Sequence, residues 1–364
     1  MEILKRLNLN ILAPAILLGI FGCLTLASLS ASDVVPFQAA WRQIIWFVLG
    51  LAVFFLISYF FNHRVLFTQN FFTLAIYTVC LILLIAVLVF GTRVRGTSGW
   101  LNFPLLRFQP VELAKLALII LLAKYFSHWH FEIWRLQRLL VPAIYTGFYV
   151  VLTILQPDFG SAVLLVLIWF GMLLVAGMKF KHFVIFVLIG LIIFGFSWNF
   201  IFKQYQKERI LNFFNPGRDP LGSGYNVIQA KIAIGSGGFW GRGLGQGVET
   251  QLRFLPEAKT DFFLAAFIEE WGFFGGTLLC LIFAWLISQL MTIGLRARDN
   301  FSRLFVFGYL LLLISQIFIN FGANLGFLPV TGLPLSFLSY GGSNLLINFI
   351  ALGIIQSIKL RSIY

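Results

Sequence analysis

The 364-residue chain is 60% hydrophobic and only 11% charged, and its formal net charge is +13. A soluble globular domain is about a quarter charged, so this composition excludes a water-soluble fold. The apolar runs are continuous and long enough to cross about 30 Å of hydrocarbon, which favours transmembrane helices over an outer-membrane β-barrel.

Apolar runs recur along the whole chain and predict one all-α polytopic membrane domain over residues 1–364. The first run follows Lys5 and Arg6 and is long for a signal-peptide core, so we interpret it as an uncleaved signal-anchor. About ten transmembrane helices are predicted, at roughly 10–30, 43–61, 71–90, 109–126, 139–156, 161–178, 183–202, 262–292, 303–322 and 344–358.

Short basic connectors follow every second predicted span. The positive-inside rule therefore predicts an inner-membrane protein with both termini in the cytoplasm. The segments left on the extracytoplasmic face are 91–108, 326–343 and a large loop over about 203–260.

The outward segments carry more basic residues than the rule predicts. Long loops cross the membrane regardless of charge, but Arg93, Arg95, Arg107 and Lys115 lie in or beside a short segment. An anionic ligand on the outer face would explain them. All four histidines fall on the cytoplasmic side, so a general base on the outer face would have to be a carboxylate.

Glu112 and Lys115 lie inside the fourth predicted span, where each charged residue costs about 2.5–3.5 kcal/mol on insertion scales. Their i, i+3 spacing places both on one helix face. They could be an ion pair that only neutralises itself, or they could line a polar cavity for a headgroup or a metal ion.

Asp158 follows Gln156-Pro157 at a tight outward turn between two spans. It is suited to cap the sixth span, and a second role in a polar cavity stays open.

Asp261 ends the long outer loop, beside Phe262 and Phe263 at the membrane boundary. A carboxylate in that position suits general-base chemistry, although it could also simply cap the eighth span. The buried acids Glu269 and Glu270 could bind a cation or pair with Lys231. The glycine-rich run at 235–241 lacks a preceding strand, so it does not predict a dinucleotide site.

At these positions the chain resembles the SEDS (shape, elongation, division and sporulation) family of cell-wall polymerases, and its RodA branch more than its FtsW branch. The matching pieces are Trp100, Gln-Pro-x-Glu-x-x-Lys at 109–115, Gln-Pro-Asp-x-Gly at 156–160, Asp-Pro-Leu-Gly-x-Gly-Tyr at 219–225, Gln-x-Lys-Ile-Ala-Ile-Gly-Ser-Gly-Gly at 229–238, Leu-Pro-Glu-x-x-Thr-Asp-Phe at 255–262 with Glu269-Glu270, and Ser-Tyr-Gly-Gly-Ser at 339–343.

The resemblance implies a ten-span peptidoglycan glycosyltransferase that polymerises lipid II into glycan strands at the periplasmic face during cell elongation. It also implies a divalent cation, Mg²⁺ or Mn²⁺, and a class B penicillin-binding protein as partner in the lipid membrane. No nucleic-acid partner is expected.

Carried over by motif, the essential carboxylate of the family falls on Asp261, which we expect to be the general base. The substrate-binding set implied by the resemblance and by the basic residues is Trp100, Glu112, Lys115, Asp158, Arg209 and Lys231.

The chain departs from the family pattern at Val111, Lys259, Trp271, Ser336 and the segment 322–326. Lys259 places a positive charge two residues from the expected base. Two other functions fit the same composition: a flippase for a lipid-linked sugar, and a non-catalytic scaffold for a penicillin-binding protein. A flippase needs polar sites that are reachable from both sides, and the outward cluster favours an enzyme.

Overall fold

The computed structural model describes residues 9–31, 37–62, 69–94, 97–102, 107–129, 136–200, 204, 207–208, 211 and 223–362. Twelve helices lie within these ranges: α1 (Leu9–Ala31), α2 (Phe37–Phe60), α3 (Asn70–Phe90), α4 (Pro110–Trp129), α5 (Leu136–Leu155), α6 (Phe159–Val175), α7 (Phe180–Phe200), α8 (Ser223–Ser236), α9 (Val248–Gln251), α10 (Phe263–Arg296), α11 (Asn300–Leu325) and α12 (Gly342–Ser362). Ten of them have 17 or more residues, and each coincides with a predicted span.

Eight of the long helices are long and apolar enough to cross a membrane. The other two are α6, which has only 17 residues, and α4, which carries Glu112, Lys115 and Lys124. The prediction of an all-α polytopic membrane protein is confirmed. Both exceptions are associated with predicted site residues. Helix α4 carries Glu112 and Lys115, and α6 directly follows Asp158.

Helix α4 lies inside the bundle, where it contacts α3, α5, α6, α11 and α12. Its residues are buried over most of the stretch from Pro110 to Ala123. Because protein rather than lipid surrounds this helix, charged side chains on it can find polar partners.

A small antiparallel sheet on the segment before α4 was not predicted from the sequence. Its strands are β1 (Thr92–Val94), β2 (Thr97–Asn102) and β3 (Arg107–Phe108), in the order β1-β2-β3. Strand β3 leads through Gln109 directly into α4, so the sheet positions the start of that helix.

Helix α10 is broken at Gly272, whose φ of 69° and ψ of −169° are not helical. The loop 238–243 fills the break. The amides of Arg242 and Gly243 donate to the carbonyls of Glu269 and Glu270, at 3.0 Å each. The carbonyls of residues 238 and 239 accept from the amides of Phe273 and Phe274, at 2.9 and 3.0 Å.

This exchange satisfies backbone groups that the break leaves without helical partners. In a membrane span each such group would otherwise cost several kcal/mol. The break also needs a glycine, because a β-carbon at Gly272 would collide with the backbone of Gly241 and Phe239.

Candidate active site

The connection between α11 and α12, residues 326–341, holds the segment that carries Asp261. The amide of Tyr340 donates to the carbonyl of Lys259, and the Ser339 hydroxyl donates to the carbonyl of Thr260, both at 2.8 Å. On the opposite side of the segment, the Asp261 carboxylate lies 3.8 Å from the point where a β-carbon on Gly332 would stand.

The Asp261 carbonyl is held separately from its carboxylate. It accepts hydrogen bonds from the side-chain amides of Asn320 and Asn324, at 3.1 and 2.9 Å. The N-cap residue of α10 is Phe262, which makes no side-chain capping bond. Asp261 immediately precedes that residue and is half-buried.

Glu112 and Lys115 form the ion pair that their spacing predicted, with 2.8 Å between Oε1 and Nζ. Both side chains are buried, and the other Glu112 oxygen accepts a 3.0 Å bond from the amide of Asn344 on α12. Asn348 continues this chain to Asn344 and to the hydroxyl of Tyr309. The pair is thus embedded in a hydrogen-bonded polar network rather than isolated.

Asp158 caps α6, as considered from the sequence, and also makes a second contact. One carboxylate oxygen caps α6 by accepting from the Ser161 amide at 3.0 Å. The other accepts from the side chain of Gln109, which precedes α4, at 3.3 Å. The Gln109 backbone amide in turn donates to the Ser343 hydroxyl at 3.1 Å. The cap residue of α6 therefore joins the network around α4 and α12.

Burial raises the pKa of the Asp158 carboxyl above its usual value. The hydrogen bonds from Ser161 and the positive charge of Lys115 oppose that rise, and the negative charge of Glu112 adds to it. The charges of Lys115 and Glu112 therefore act on the Asp158 carboxyl.

Asp158 and Asp261 meet the same loop from different sides. A β-carbon on Gly160 would lie 2.5 Å from the carbonyl of Thr331, so the first turn of α6 packs directly on this loop. The next residue, Gly332, is the one that adjoins the Asp261 carboxylate. Asp261 and the turn that carries Asp158 therefore both adjoin the connection between α11 and α12.

Trp100 lies on β2 and is half-buried. The preceding residues tie this strand to the Asp158 turn: the Ser98 amide donates to the Gln156 carbonyl at 3.2 Å, and Gly99 lies beside the side chains of Gln109 and Gln156. The sheet thus forms an edge of the same site.

Lys231 is exposed on α8, and its side chain covers Gly326 at the carboxyl end of α11. A cation is favoured there because the helix dipole is negative at that end. Arg209 lies outside the described residues.

In the described structure Glu269 and Glu270 do not pair with Lys231. They accept hydrogen bonds from the loop that precedes α10 instead. Glu269 accepts from the amides of Glu249 and Thr250 at 2.8 and 3.2 Å. Glu270 accepts from the Ser28 hydroxyl at 2.6 Å and from the Gly245 amide at 3.1 Å. Both acids therefore fasten the loop that leads to Asp261.

A cation site made by protein groups alone is not found in the described part of the chain, where no group of three or more His, Cys, Asp or Glu residues is suitably placed. Mg²⁺ commonly binds through one or two carboxylates together with substrate phosphates, however. A site of that kind takes most of its ligands from substrate and water rather than from the protein.

Sequence reasoning missed the amides that connect the site. They are Gln109, Asn320, Asn324, Asn344 and Asn348. An available signal was their position in or beside apolar spans, since a polar amide in such a span also needs a partner. The sequence does not indicate which partner each amide finds.

A family model for FtsW, RodA and SpoVE, described as cell cycle proteins, matches residues 8–363. The chain is 36% identical over 291 residues to the peptidoglycan glycosyltransferase MrdB of Escherichia coli K12, covering 78% of this chain and 76% of that protein. It is 39% identical over 289 residues to stage V sporulation protein E of Bacillus subtilis, covering 79% and 78%.

Two solved structures are similar over nearly the whole chain. A chain of a peptidoglycan synthase complex matches with a TM-score of 0.83 and 33% identity, covering 98% of both chains. The rod shape determining protein RodA of Thermus thermophilus matches with a TM-score of 0.72 and 28% identity, covering 97% of this chain and 96% of that one.

Proposed function

This chain belongs to the FtsW, RodA and SpoVE family, and from that premise we propose that it is a peptidoglycan glycosyltransferase that polymerises lipid II during cell elongation. The observation that carries the proposal is that Asp261 and the first turn of α6, which Asp158 caps, both lie against the connection between α11 and α12, while the Glu112–Lys115 pair bonds Asn344 in the first turn of α12. Its curated relatives include enzymes named for this activity.

In the proposed reaction the 4-hydroxyl of the acceptor sugar attacks the anomeric carbon of the donor. A new glycosidic C–O bond forms as the bond from that carbon to the diphosphate breaks, so the anomeric configuration inverts. Asp261 accepts the hydroxyl proton, and the undecaprenyl diphosphate leaves with the bonding electron pair.

The other residues of the site stabilise charge and hold the substrate. Lys231 is the exposed cation of the set, and we assign it, with Arg209, to the anionic diphosphate. Lys115 is buried against Glu112, so it does not bind the substrate directly. Its positive charge acts on the site electrostatically, and its ion pair holds Glu112 in place. Trp100 forms the edge of the site that faces the sugar.

A divalent cation, Mg²⁺ or Mn²⁺, belongs to the proposal as a stabiliser of the leaving diphosphate. We assign substrate phosphate oxygens as its main ligands, because Mg²⁺ commonly binds through such oxygens and waters with few protein groups.

The membrane placement and the partner are also proposals. The distribution of basic connectors supports a cytoplasmic location for both termini, in the inner membrane, with the site on the periplasmic side. A class B penicillin-binding protein is proposed as the partner, and the similarity to a chain of a peptidoglycan synthase complex supports an assembly of this kind.

The deciding experiment measures lipid II polymerisation by the detergent-solubilised chain purified with its transpeptidase partner. Asp261→Asn should abolish polymer formation and leave folding and partner binding intact. Asp299→Asn is the matched control, because Asp299 caps α11 through Ser302 and makes no contact with the site loop in the described structure. Full activity of Asp261→Asn would reject Asp261 as the base.

The same assay separates the two other functions. A flippase makes no polymer in detergent, because transport needs a sealed membrane. A scaffold would retain its function when Asp261, Glu112 and Lys115 are all replaced.

A further inference from the structure

Asn324, near the end of α11, places its side-chain amide between two backbone groups at the start of α10. Its Oδ1 accepts from the Ala265 amide at 3.1 Å, and its Nδ2 donates to the Asp261 carbonyl at 2.9 Å. The side chain is completely buried. A residue of one helix therefore completes the first turn of another.

The two bridged groups are those that would bond to each other in an uninterrupted helix, where the amide of residue i bonds the carbonyl of residue i−4. With the Asn324 amide bonded to both, Asp261 stays outside α10, which begins at Phe263. The backbone at Asp261, and hence the direction of its carboxylate, depends on Asn324.

Asn320, one turn earlier on α11, extends this arrangement to the site loop. Its amide nitrogen donates to the Asp261 carbonyl at 3.1 Å and to the Leu333 carbonyl at 2.8 Å. Leu333 follows Gly332, which adjoins the Asp261 carboxylate. The two asparagines thus fix Asp261 relative to the surface that its carboxylate faces.

The chemistry of the contacts requires an amide at position 324. The Ala265 group is a donor and the Asp261 group is an acceptor, so the side chain must present one acceptor and one donor. A carboxylate of the same shape would direct an oxygen at the Asp261 carbonyl, and leucine would leave both groups without this partner.

We infer that Asn324 is a positioning residue that orients Asp261 for proton abstraction, an inference that rests on the proposed function. The segment around it, 322–326, is one of the places where the sequence departs from the expected family pattern.

Gln316 supplies a matched control on the same helix. It is also a completely buried amide, two turns before Asn324, and it accepts a 2.6 Å bond from the Ser336 hydroxyl. Ser336 belongs to the connection 326–341, so replacing Gln316 alters a contact between α11 and the site loop but leaves the bonds to the Asp261 carbonyl in place.

The test compares Asn324→Leu, Asn324→Asp and Gln316→Leu in the full chain purified with its transpeptidase partner. Thermal melting first identifies the variants that stay folded at the assay temperature, and lipid II polymerisation then gives kcat and KM. We expect both Asn324 variants to lose about 10- to 100-fold in kcat with little change in KM, because a small misplacement of a catalytic group costs rate rather than binding. Gln316→Leu should keep the kcat of the parent.

Asn324→Asp preserves side-chain shape, so it provides a folded variant if Asn324→Leu does not fold. Parental kcat in a folded Asn324 variant, with Asp261→Asn inactive, would overturn the inference and leave the proposed function standing. An equal loss of kcat in Gln316→Leu would also overturn it, because the effect would then come from α11 or its contact with the site loop in general and not from the bonds to the Asp261 backbone. Activity of Asp261→Asn would reject the base itself and the inference with it.

Discussion

Gln109 and Asp158 are 49 residues apart in the sequence, yet the Gln109 side chain donates a 3.3 Å hydrogen bond to an Asp158 carboxylate oxygen. This contact joins the start of α4 to the start of α6. Because the Gln109 backbone amide also donates to the Ser343 hydroxyl, the contact extends to the first turn of α12.

Asp158→Asn should change stability in a pH-dependent manner. Burial raises the pKa of Asp158 in the folded state, so ionisation costs folding free energy. That cost is absent below about pH 4, the usual pKa of an aspartate carboxyl in an unfolded chain. It grows as the pH rises toward the higher pKa that the carboxyl has in the folded protein, and above that pKa it is constant. Asparagine can still cap α6. The variant should therefore gain Tm relative to the parent above about pH 4 and lose that gain below it.

The measurement is thermal unfolding of the purified protein in detergent across this pH range. Asp299→Asn provides the control, because it makes the same chemical change at the N-cap of α11. A Tm difference between parent and Asp158→Asn that does not vary with pH would contradict the prediction.

Removing one member of the Glu112–Lys115 pair should cost more than removing both. Lys115→Met leaves a buried carboxylate, and Glu112→Gln leaves a buried ammonium; a broken buried pair typically costs about 3–5 kcal/mol. The double variant keeps neither charge and should recover a large part of that loss. Unfolding of the three variants, combined as a double-mutant cycle, measures the coupling. Additive losses would show that the two charges act independently.

Gly272→Ala should destabilise the outer half of α10. The backbone at Gly272 has a positive φ, which costs about 1–3 kcal/mol for other residues, and the new methyl group would collide with the loop backbone. Gly190→Ala on α7 is the control, because nothing lies within 4 Å of its β-carbon position. The expected result is a lower Tm for Gly272→Ala and an unchanged or slightly higher Tm for Gly190→Ala.

Glu269→Gln should loosen the outer loop. The carboxylate accepts from two backbone amides of α9, whereas glutamine has one acceptor oxygen and turns a donor toward the other amide. We expect a loss of about 1–3 kcal/mol and faster protease cleavage between residues 245 and 255. Glu249→Gln makes the same change on α9 itself and leaves both amides capped. Equal cleavage rates for the two variants would reject this role of Glu269.

The long helices could be predicted because apolar length alone determines where a chain crosses a membrane. The Glu112–Lys115 pair was predictable for a similar reason, since a helical spacing of three residues brings side chains together locally. In both cases the physical cause lies within a few residues of sequence.

Other features depend on contacts between distant segments, which the sequence does not contain in local form. The break at Gly272 lies inside a long span with no proline, and only the docked loop shows why a glycine is required there. The bridging role of Asn324 likewise depends on α10 and α11 lying side by side. The short strands before α4 have no clear alternation of polar and apolar residues.

The hydrogen bonds exchanged at Gly272 also bear on how the protein is made. Residues 238–243 leave the ribosome before residues 269–274, so their loop has already been synthesised when the outer half of α10 enters the membrane. That half then finds its backbone partners in a segment completed earlier. A C-terminal fragment that begins after residue 250 would lack those partners, and its first span should insert with a frayed outer end.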